Sequence, residues 1–219
     1  MLDRLVSALA YLFPVPCAGC GREGRALCGD CAARLRPEPI SHDVAGVGTV
    51  WSALRYEGVT RDVVLAVKEG GRPGLVSTLA RPFAAAVDAA LASQPNAILV
   101  PVPPSRASRR RRGFDPVELL ATRAGVLLTP VFAPAAPHPV QKGLDVLERS
   151  RNLDGVFALR RTVAGCRVLL VDDLVTTGST LRAAADVLGA GQARVLGAVT
   201  LAATPRFDGR SSGTLSRSS

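Results

Sequence analysis

The sequence predicts an α/β protein with a parallel sheet flanked by helices and a small N-terminal module that contains four cysteines. Residues 97–102 and 168–171 are short apolar runs, as expected for strands that are buried on both faces. A helical pattern follows the second run, and strands that alternate with helices favour a parallel sheet. With 219 residues and 47% hydrophobic content, the chain can form one medium domain and a small module.

Composition divides the chain into five segments. We predict a helix over residues 1–13, the four-cysteine module over 14–36, a linker over 37–48, the α/β domain over 49–204 and a disordered tail over 205–219. The first segment is too short to span a membrane and does not have the pattern of a signal peptide. Together with a thiolate metal site, this predicts a cytoplasmic protein.

The elements of the α/β domain follow from short apolar runs and from helical spacing. The predicted strands are 49–56, 97–102, 168–171 and 193–203, and the predicted helices are 59–68, 75–91 and a helix that ends near 188.

The module has the cysteine spacing of a metal site. Two C-x-x-C pairs are separated by seven residues, and nearby glycines allow the tight turns that bring four thiolates together. We predict a structural zinc ion whose binding supplies the folding free energy of this segment. A pair of redox disulfides is the alternative. The predicted ligands are Cys17, Cys20, Cys28 and Cys31.

The segment after the strand at 168–171 has the chemistry of a sugar phosphate site. Asp172 and Asp173 fall at the carboxyl end of that strand, where ligands of parallel sheets bind. The following Thr-Thr-Gly-Ser-Thr run opens a helix, and amides, hydroxyls and the helix dipole there attract a phosphate. The two carboxylates would accept hydrogen bonds from ribose hydroxyls. The predicted phosphate ligands are Thr176, Thr177, Gly178, Ser179 and Thr180.

Two other interpretations of this segment remain open. The strand and aspartates could form a Walker B strand, although the chain has no G-x-x-x-x-G-K-[ST] motif. The aspartates and threonines could also only cap the helix and fill a turn.

Basic residues suggest where the rest of a phosphorylated ligand would bind. Lys68 precedes two glycines and could approach a pyrophosphate, or it could end a helix before a glycine cap. Residues 109–112 are four arginines, which could be a lid, a nucleic-acid contact or a solvated loop. The net charge of +9 comes almost entirely from arginine, which is weak evidence for a nucleic-acid partner.

These motifs resemble known families. Residues 168–180 resemble the phosphoribosyl pyrophosphate (PRPP) motif of type I phosphoribosyltransferases. The four cysteines, Tyr56-Glu-Gly58 leading to Lys68, Arg112-Gly-Phe-Asp115 and Arg151-Asn152 occur in the order seen in ComF-type competence proteins. The resemblance covers residues from about 14 to 203. It implies a type I phosphoribosyltransferase-like fold with an added zinc-ribbon-like module.

The resemblance also implies a function. PRPP with magnesium would be attacked by a nitrogen nucleophile, and Asp172, Asp173, Lys68 and Arg112 would be the catalytic residues. The acceptor would bind near 141–152 or the N-terminal part. The alternatives are a DNA-uptake protein that contacts single-stranded DNA or partner proteins, and a sensor that binds PRPP or a nucleotide without turnover. Asp115 replaces the asparagine that is common in the family.

Overall fold

The computed structural model describes residues 15–104, 106–133 and 157–205. Within these ranges the chain forms seven strands, six α-helices and a short 3-10 helix at Pro73–Leu75. The strands are β1 (Ile40–Val44), β2 (Gly48–Arg55), β3 (Ile98–Pro101), β4 (Phe132–Ala133), β5 (Ala158–Leu159), β6 (Arg167–Val175) and β7 (Arg194–Ala203). The helices are α1 (Gly29–Ala33), α2 (Gly58–Lys68), α3 (Val76–Ser93), α4 (Arg106–Arg112), α5 (Pro116–Ala124) and α6 (Ser179–Ala190).

The main sheet has five strands in the order β1-β2-β7-β6-β3. The last four strands in this order are parallel to one another. Strands β4 and β5 form a separate antiparallel pair. The predicted α/β fold with a parallel sheet flanked by helices is therefore confirmed.

Strand β1 was not predicted, since the residues that form it lie in the segment 37–48 that was expected to be a linker. It pairs antiparallel with β2 at the edge of the sheet, and the Oγ1 of Thr49 donates to Asp43 across the hairpin at 2.8 Å. An edge strand needs only one buried face, so the polar residues of β1, between flanking prolines and glycines, look like a linker in the sequence.

Strand β6, inside the sheet, shows why its apolar run is continuous rather than alternating. In β6, Leu169 and Val171 contact one hydrophobic cluster, whereas Val168 and Leu170 contact the cluster on the opposite face. All four side chains are fully buried. Successive side chains of a strand point to opposite faces, so both faces of the sheet are covered.

Helices cover both faces of the sheet. Helices α2, α3 and α5 contribute to the cluster that contains Leu169, and α6 contributes to the cluster that contains Leu170. Among the described residues, one stretch, 73–93, is long and apolar enough to cross a membrane, and half of its apolar window is buried. Phe83 and Ala86 of this stretch are fully buried in the core.

Strand β6 extends beyond the predicted 168–171. Its pairing with β3 ends at Val171, but its pairing with β7 continues to Val175. Asp172 and Asp173 therefore belong to a strand with a neighbour on one side only. The apolar run stops at Val171, where the pairing with β3 ends and the next residues are only partly buried. Polar residues do not prevent backbone pairing with β7.

Several predictions concern residues outside the described ranges. These are the helix at 1–13, the segment 141–152 with Arg151 and Asn152, and nearly all of the tail at 205–219.

Candidate functional site

Asp173 is the centre of a group of charged side chains at the carboxyl end of β6. The Nζ of Lys68 donates to Oδ1 of Asp173 at 2.9 Å. The Nη1 of Arg112 lies 4.0 Å from Oδ2 of the same carboxylate. Three of the predicted catalytic residues are thus brought together from three separate elements.

The ends of two helices position the cations. Lys68 is the last residue of α2, and Arg112 is the last residue of α4. Lysine and arginine are favoured in the last turn of a helix, where they interact with the free carbonyl groups and the negative end of the dipole. Lys68 therefore ends a helix, as one of its two interpretations predicts, and it also contacts the predicted acidic residue Asp173. Its approach to a pyrophosphate stays a prediction. The basic segment forms a helix rather than an irregular loop.

Arg112 is buried but incompletely hydrogen-bonded. Its side chain is 9% exposed, and its Nε donates to the carbonyl of Ser108 at 3.3 Å. The buried Nη1 has no hydrogen-bond partner among the residues that the structure describes. The cost of burying an unsatisfied charged donor is substantial, so this atom is well suited to a ligand oxygen.

Asp172 occupies a different environment from its neighbour. Burial, followed by the negative charge of Asp173, raises the pKa of Asp172 to about 8. One of its carboxyl oxygens accepts a hydrogen bond from the backbone N–H of Asp173 at 2.7 Å. A partly protonated Asp172 beside Asp173 offers both a donor and an acceptor to a hydroxyl-bearing ligand.

A cavity adjoins these side chains. It has a volume of about 350 Å³ and lies between the end of α2 and the end of α4. Its charged lining is mainly basic, with Glu69 as the one carboxylate and Phe114 as the one aromatic side chain among its described lining residues. A cavity with this charge favours an anionic group. The basic lining residues are Lys68, Arg111 and Arg112.

The loop between β6 and α6 has the geometry of an anion site. Gly178 is the residue before α6 and has φ of 71°, in the left-handed region. The N-cap residue Gly178 has no side chain to cap the helix. The backbone N–H of Ser179 donates to the Oγ1 of Thr177 at 3.4 Å, and this hydroxyl is 3.0 Å from that of Ser179. The side chains of Thr177 and Ser179 are exposed, and the amides at the start of a helix commonly bind phosphate groups.

The four predicted zinc ligands also come together. Their Sγ atoms all lie within 4.8 Å of one another, and those of Cys20 and Cys28 are 3.7 Å apart. Tetrahedral zinc with Zn–S bonds of about 2.3 Å requires S···S separations of about 3.8 Å. The four described thiols are free rather than paired in disulfides, so their geometry favours zinc over the redox alternative.

The environment of the cysteines supports the same conclusion. The backbone N–H of Cys28 donates to the sulfur of Cys17 at 3.3 Å. This bond is the largest of several hydrogen bonds that together lower the pKa of Cys17 to about 6, against the opposing effect of burial. Burial raises the pKa of Cys31 to about 12. A thiolate at Cys31 therefore needs a neighbouring cation, which a metal ion held by all four sulfurs would supply.

Three residues that were not predicted as site residues contact the site or the elements beside it. Asp115 caps α5 by accepting from the backbone N–H of Val117 at 2.9 Å. Its negative charge also contributes to the raised pKa of Asp172. Arg182 of α6 lies next to Gly178. Arg72 connects the loop after Lys68 to the cysteine module. Asp115 ends the Arg112-Gly-Phe-Asp115 motif, and the Asp-Pro pair at 115–116 is the signal of a helix start. Arg72 and Arg182 stand in no motif.

Comparisons with known proteins agree with this geometry. Residues 111–216 match the family model described as the phosphoribosyl transferase domain, which is just under half of the chain. A search of curated proteins found no significant match.

Solved structures give further similarities. A hypoxanthine phosphoribosyltransferase from Staphylococcus aureus is 16% identical with a TM-score of 0.37, and the match covers 60% of this chain and 65% of that enzyme. An adenine phosphoribosyltransferase from Saccharomyces cerevisiae is 18% identical with a TM-score of 0.42, and the match covers 84% of this chain and 94% of that enzyme.

Because residues 111–216 match the phosphoribosyl transferase domain, the α/β part of this chain has a phosphoribosyltransferase-type fold.

Proposed function

We propose that this protein binds PRPP with magnesium at the carboxyl end of β6 and transfers its phosphoribosyl group to a nitrogen acceptor, as a ComF-type phosphoribosyltransferase. The observation that carries this proposal is the arrangement around Asp173. A carboxylate pair suited to ribose hydroxyls lies beside a basic cavity that Lys68 and Arg112 line. The Nη1 of Arg112, 4.0 Å from Asp173, has no hydrogen-bond partner among the described residues.

Each part of PRPP has a matching group of residues. The 5-phosphate would bind the hydroxyls and amides of the 176–180 loop, with Arg182 nearby. The ribose hydroxyls would bind Asp172 and Asp173. The pyrophosphate would enter the cavity of about 350 Å³, where Lys68 and Arg112 face it.

The reaction follows from this placement. The acceptor nitrogen forms a bond to the anomeric carbon of the ribose while the bond from that carbon to pyrophosphate breaks. Asp172 and Asp173 hold the ribose and stabilise its developing positive charge, and Lys68 and Arg112 stabilise the negative charge on the departing pyrophosphate. Magnesium bound with PRPP neutralises part of the pyrophosphate charge. The proton of the acceptor passes to solvent, since no described residue stands out as its base.

Zinc has a separate role in this proposal. Cys17, Cys20, Cys28 and Cys31 would hold it with all four coordination positions filled, so it would be structural rather than catalytic.

Calorimetry with three ligands tests the assignment of these residues. Magnesium PRPP, magnesium pyrophosphate and ribose 5-phosphate are titrated into the zinc-loaded protein. Arg112→Met should weaken binding of PRPP and pyrophosphate by about tenfold, since hydrogen bonds to charged groups contribute about 1.5–3 kcal/mol. It should leave ribose 5-phosphate unaffected.

The carboxylates should show the opposite selectivity. The double variant Asp172→Asn with Asp173→Asn should weaken binding of PRPP and ribose 5-phosphate but not of pyrophosphate. Asp186→Asn removes an exposed carboxylate from α6 and is the control. If the wild type binds none of the three ligands, the proposal is wrong. If all ligands weaken equally in every variant, the residue assignment is wrong.

A role in DNA uptake is the second candidate, and the observation that favours it is the exposure of Arg110 and Arg111 on α4. Salt-dependent binding of single-stranded DNA that weakens in Arg110→Ala with Arg111→Ala would support it. Ligand affinity without pyrophosphate release with any acceptor would instead support a PRPP sensor.

A further inference from the structure

The cysteine module and α2 share one hydrophobic cluster. Leu35, just after α1, is buried together with Val63, Val64 and Val67 of α2. The backbone of the module also approaches α2 closely, because a Cβ atom at Gly19 would lie 3.0 Å from a methyl group of Val59. The metal module therefore packs directly against the helix that ends at Lys68.

Arg72 makes a second connection between these regions. Its Nη2 donates to the carbonyl of Pro16 at 2.8 Å and to that of Ala26 at 3.2 Å. Pro16 immediately precedes Cys17, and Ala26 lies two residues before Cys28. The backbone N–H of Ala18 also donates to the carbonyl of Ala26 at 2.9 Å. One guanidinium thus joins the two arms that carry the two cysteine pairs.

The other end of this connection is the turn after Lys68. Both Glu69 and Gly70 donate their backbone N–H groups to the carbonyl of Leu65, at 2.8 and 3.2 Å. The backbone N–H of Arg72 donates to the carbonyl of Ala66 at 3.2 Å. The turn at 69–71 is therefore held between the end of α2 and the module. Lys68, at its start, contacts Asp173 at 2.9 Å.

From these contacts we infer that Arg72 is a positioning residue that couples metal loading of the module to ligand binding at the Lys68–Asp173 site. Metal binding holds the arms that carry Cys17 and Cys28 at a fixed separation, and this keeps both carbonyl acceptors in place for Arg72. Arg72 then holds the 69–71 turn, and the turn holds Lys68. Coupling is reciprocal, so a ligand at Lys68 should also increase the affinity of the module for its metal.

The inference rests on the proposed function only for the identity of the ligand. The mechanical part of the inference is independent, because it concerns the 69–72 backbone and the metal. Hydrogen exchange of the amides of Glu69, Gly70 and Arg72 reports on that part without any ligand.

The test uses the full-length zinc-loaded protein with Arg72→Met, which keeps the aliphatic stem but removes the charge and the donors. Arg61→Met is the matched control, because it removes the same charge from an exposed side chain of α2 that is 3.8 Å from Asp62. Three quantities are measured: the Kd for magnesium PRPP, the rate of zinc transfer to a chromogenic chelator with and without PRPP, and the rate of hydrogen exchange of the backbone amides of residues 65–72.

In the wild type, PRPP should slow zinc transfer, and zinc removal should speed exchange at 69–72. Arg72→Met should speed that exchange with zinc bound, weaken PRPP binding by about five- to tenfold, and abolish the effect of PRPP on zinc transfer, in line with typical coupling free energies. Arg61→Met should behave as the wild type does.

Other results overturn the inference. If Arg61→Met weakens PRPP binding as much as Arg72→Met does, the effect is one of charge and not of the carbonyl contacts. Unchanged exchange at 69–72 in Arg72→Met would also contradict the coupling, even if that variant binds PRPP poorly. If the wild type does not bind PRPP, the proposed function fails, and the exchange data alone then decide the coupling.

Discussion

The cysteine module and the α/β domain are stabilised in different ways. Among the described residues of the module, 15–36, only Cys17, Cys31 and Leu35 are buried hydrophobic side chains, and four sulfurs lie within 4.8 Å of one another. In the domain, strand β6 is one example of a continuous run of side chains buried on both faces of the sheet, and helices cover both faces. The module is too small to bury a core of its own, so we expect its fold to depend on a metal ion, whereas the domain depends on apolar burial.

This difference affects function because the site lies in the domain but one of its edges rests on the module. Lys68 belongs to a helix that packs against the cysteines, whereas Asp172 and Asp173 belong to the central sheet. The acidic half of the site should therefore be insensitive to metal, and the Lys68 side should be sensitive to it.

Removal of a cysteine should produce the largest effect and affect the module first. Cys17→Ser should abolish stoichiometric zinc binding, because it removes one of the four predicted ligands. The effect should be large, since structural zinc contributes roughly 10–16 kcal/mol of apparent binding free energy in zinc-finger peptides. The amides of Ala18 and Gly21, which are hydrogen-bonded within the module, should then exchange rapidly while those of β6 stay protected. Cys166→Ser, outside the cluster, should retain one zinc ion. Unchanged zinc content in Cys17→Ser would remove the basis of the comparison.

A cavity in the central strand should destabilise the domain but leave the module intact. Leu170 is fully buried in β6, and Leu170→Ala should reduce the free energy of unfolding by about 2–5 kcal/mol, as measured by urea denaturation. Leu127 is 86% exposed, and Leu127→Ala should change stability by less than about 0.5 kcal/mol. Zinc content should be the same in both variants. Loss of zinc from Leu170→Ala at native conditions would show that the two regions do not have separate sources of stability.

The free energy of unfolding of the protein should depend on pH through Asp172, at the carboxyl end of β6. Asp172 has a pKa raised from 3.8 to about 8, so the folded protein retains a proton that the unfolded chain has lost in this range. Its stabilising contribution is fully present below about pH 4 and is lost as pH rises towards 8. Asp172→Asn does not titrate, so its stability relative to the wild type should increase over this window, on the order of 1–2 kcal/mol after solvent screening.

Urea denaturation at several pH values between 4 and 9 measures this difference. Asp186→Asn, which removes an exposed carboxyl group from α6, serves as the comparison. A pH dependence of equal size in both variants would contradict the assignment to Asp172.

Alanine substitutions of two glycines near opposite ends of α6 should change the stability of the protein in opposite directions, and by the smallest amounts. Gly178 has φ of 71°, and a Cβ atom there would lie 2.7 Å from a methyl group of Val44. Gly178→Ala should therefore cost about 1–2 kcal/mol. A Cβ atom at Gly189 would contact nothing within 4 Å, so Gly189→Ala should stabilise the helix by about 0.5–1 kcal/mol. Thermal denaturation measures the stability of both variants. Equal changes in stability would show that the conformation of the loop between β6 and α6 is unimportant for stability.

Much of the fold could be predicted because its signals are local. The runs at 97–102 and 168–171 are apolar on both faces, and the helices at 59–68 and 75–91 have regular apolar spacing. Strand β1 could not be predicted, because its pairing with β2 is a backbone interaction at an edge where side chains are mixed. The helix at Arg106–Arg112 was also missed, because an arginine run has no apolar periodicity.

By itself, the sequence determined the α/β class and predicted the four-cysteine cluster and the candidate site residues. Cysteine spacing, apolar runs and the order of Asp-Asp and Thr-Thr-Gly-Ser-Thr are properties of neighbouring residues. Only the tertiary structure decided that Lys68, Arg112 and Asp173 meet, since they are far apart in the chain and come from different elements. The same holds for the contact of Arg72 with the module and for the raised pKa of Asp172. Distances and burial depend on packing between elements, which no single segment specifies.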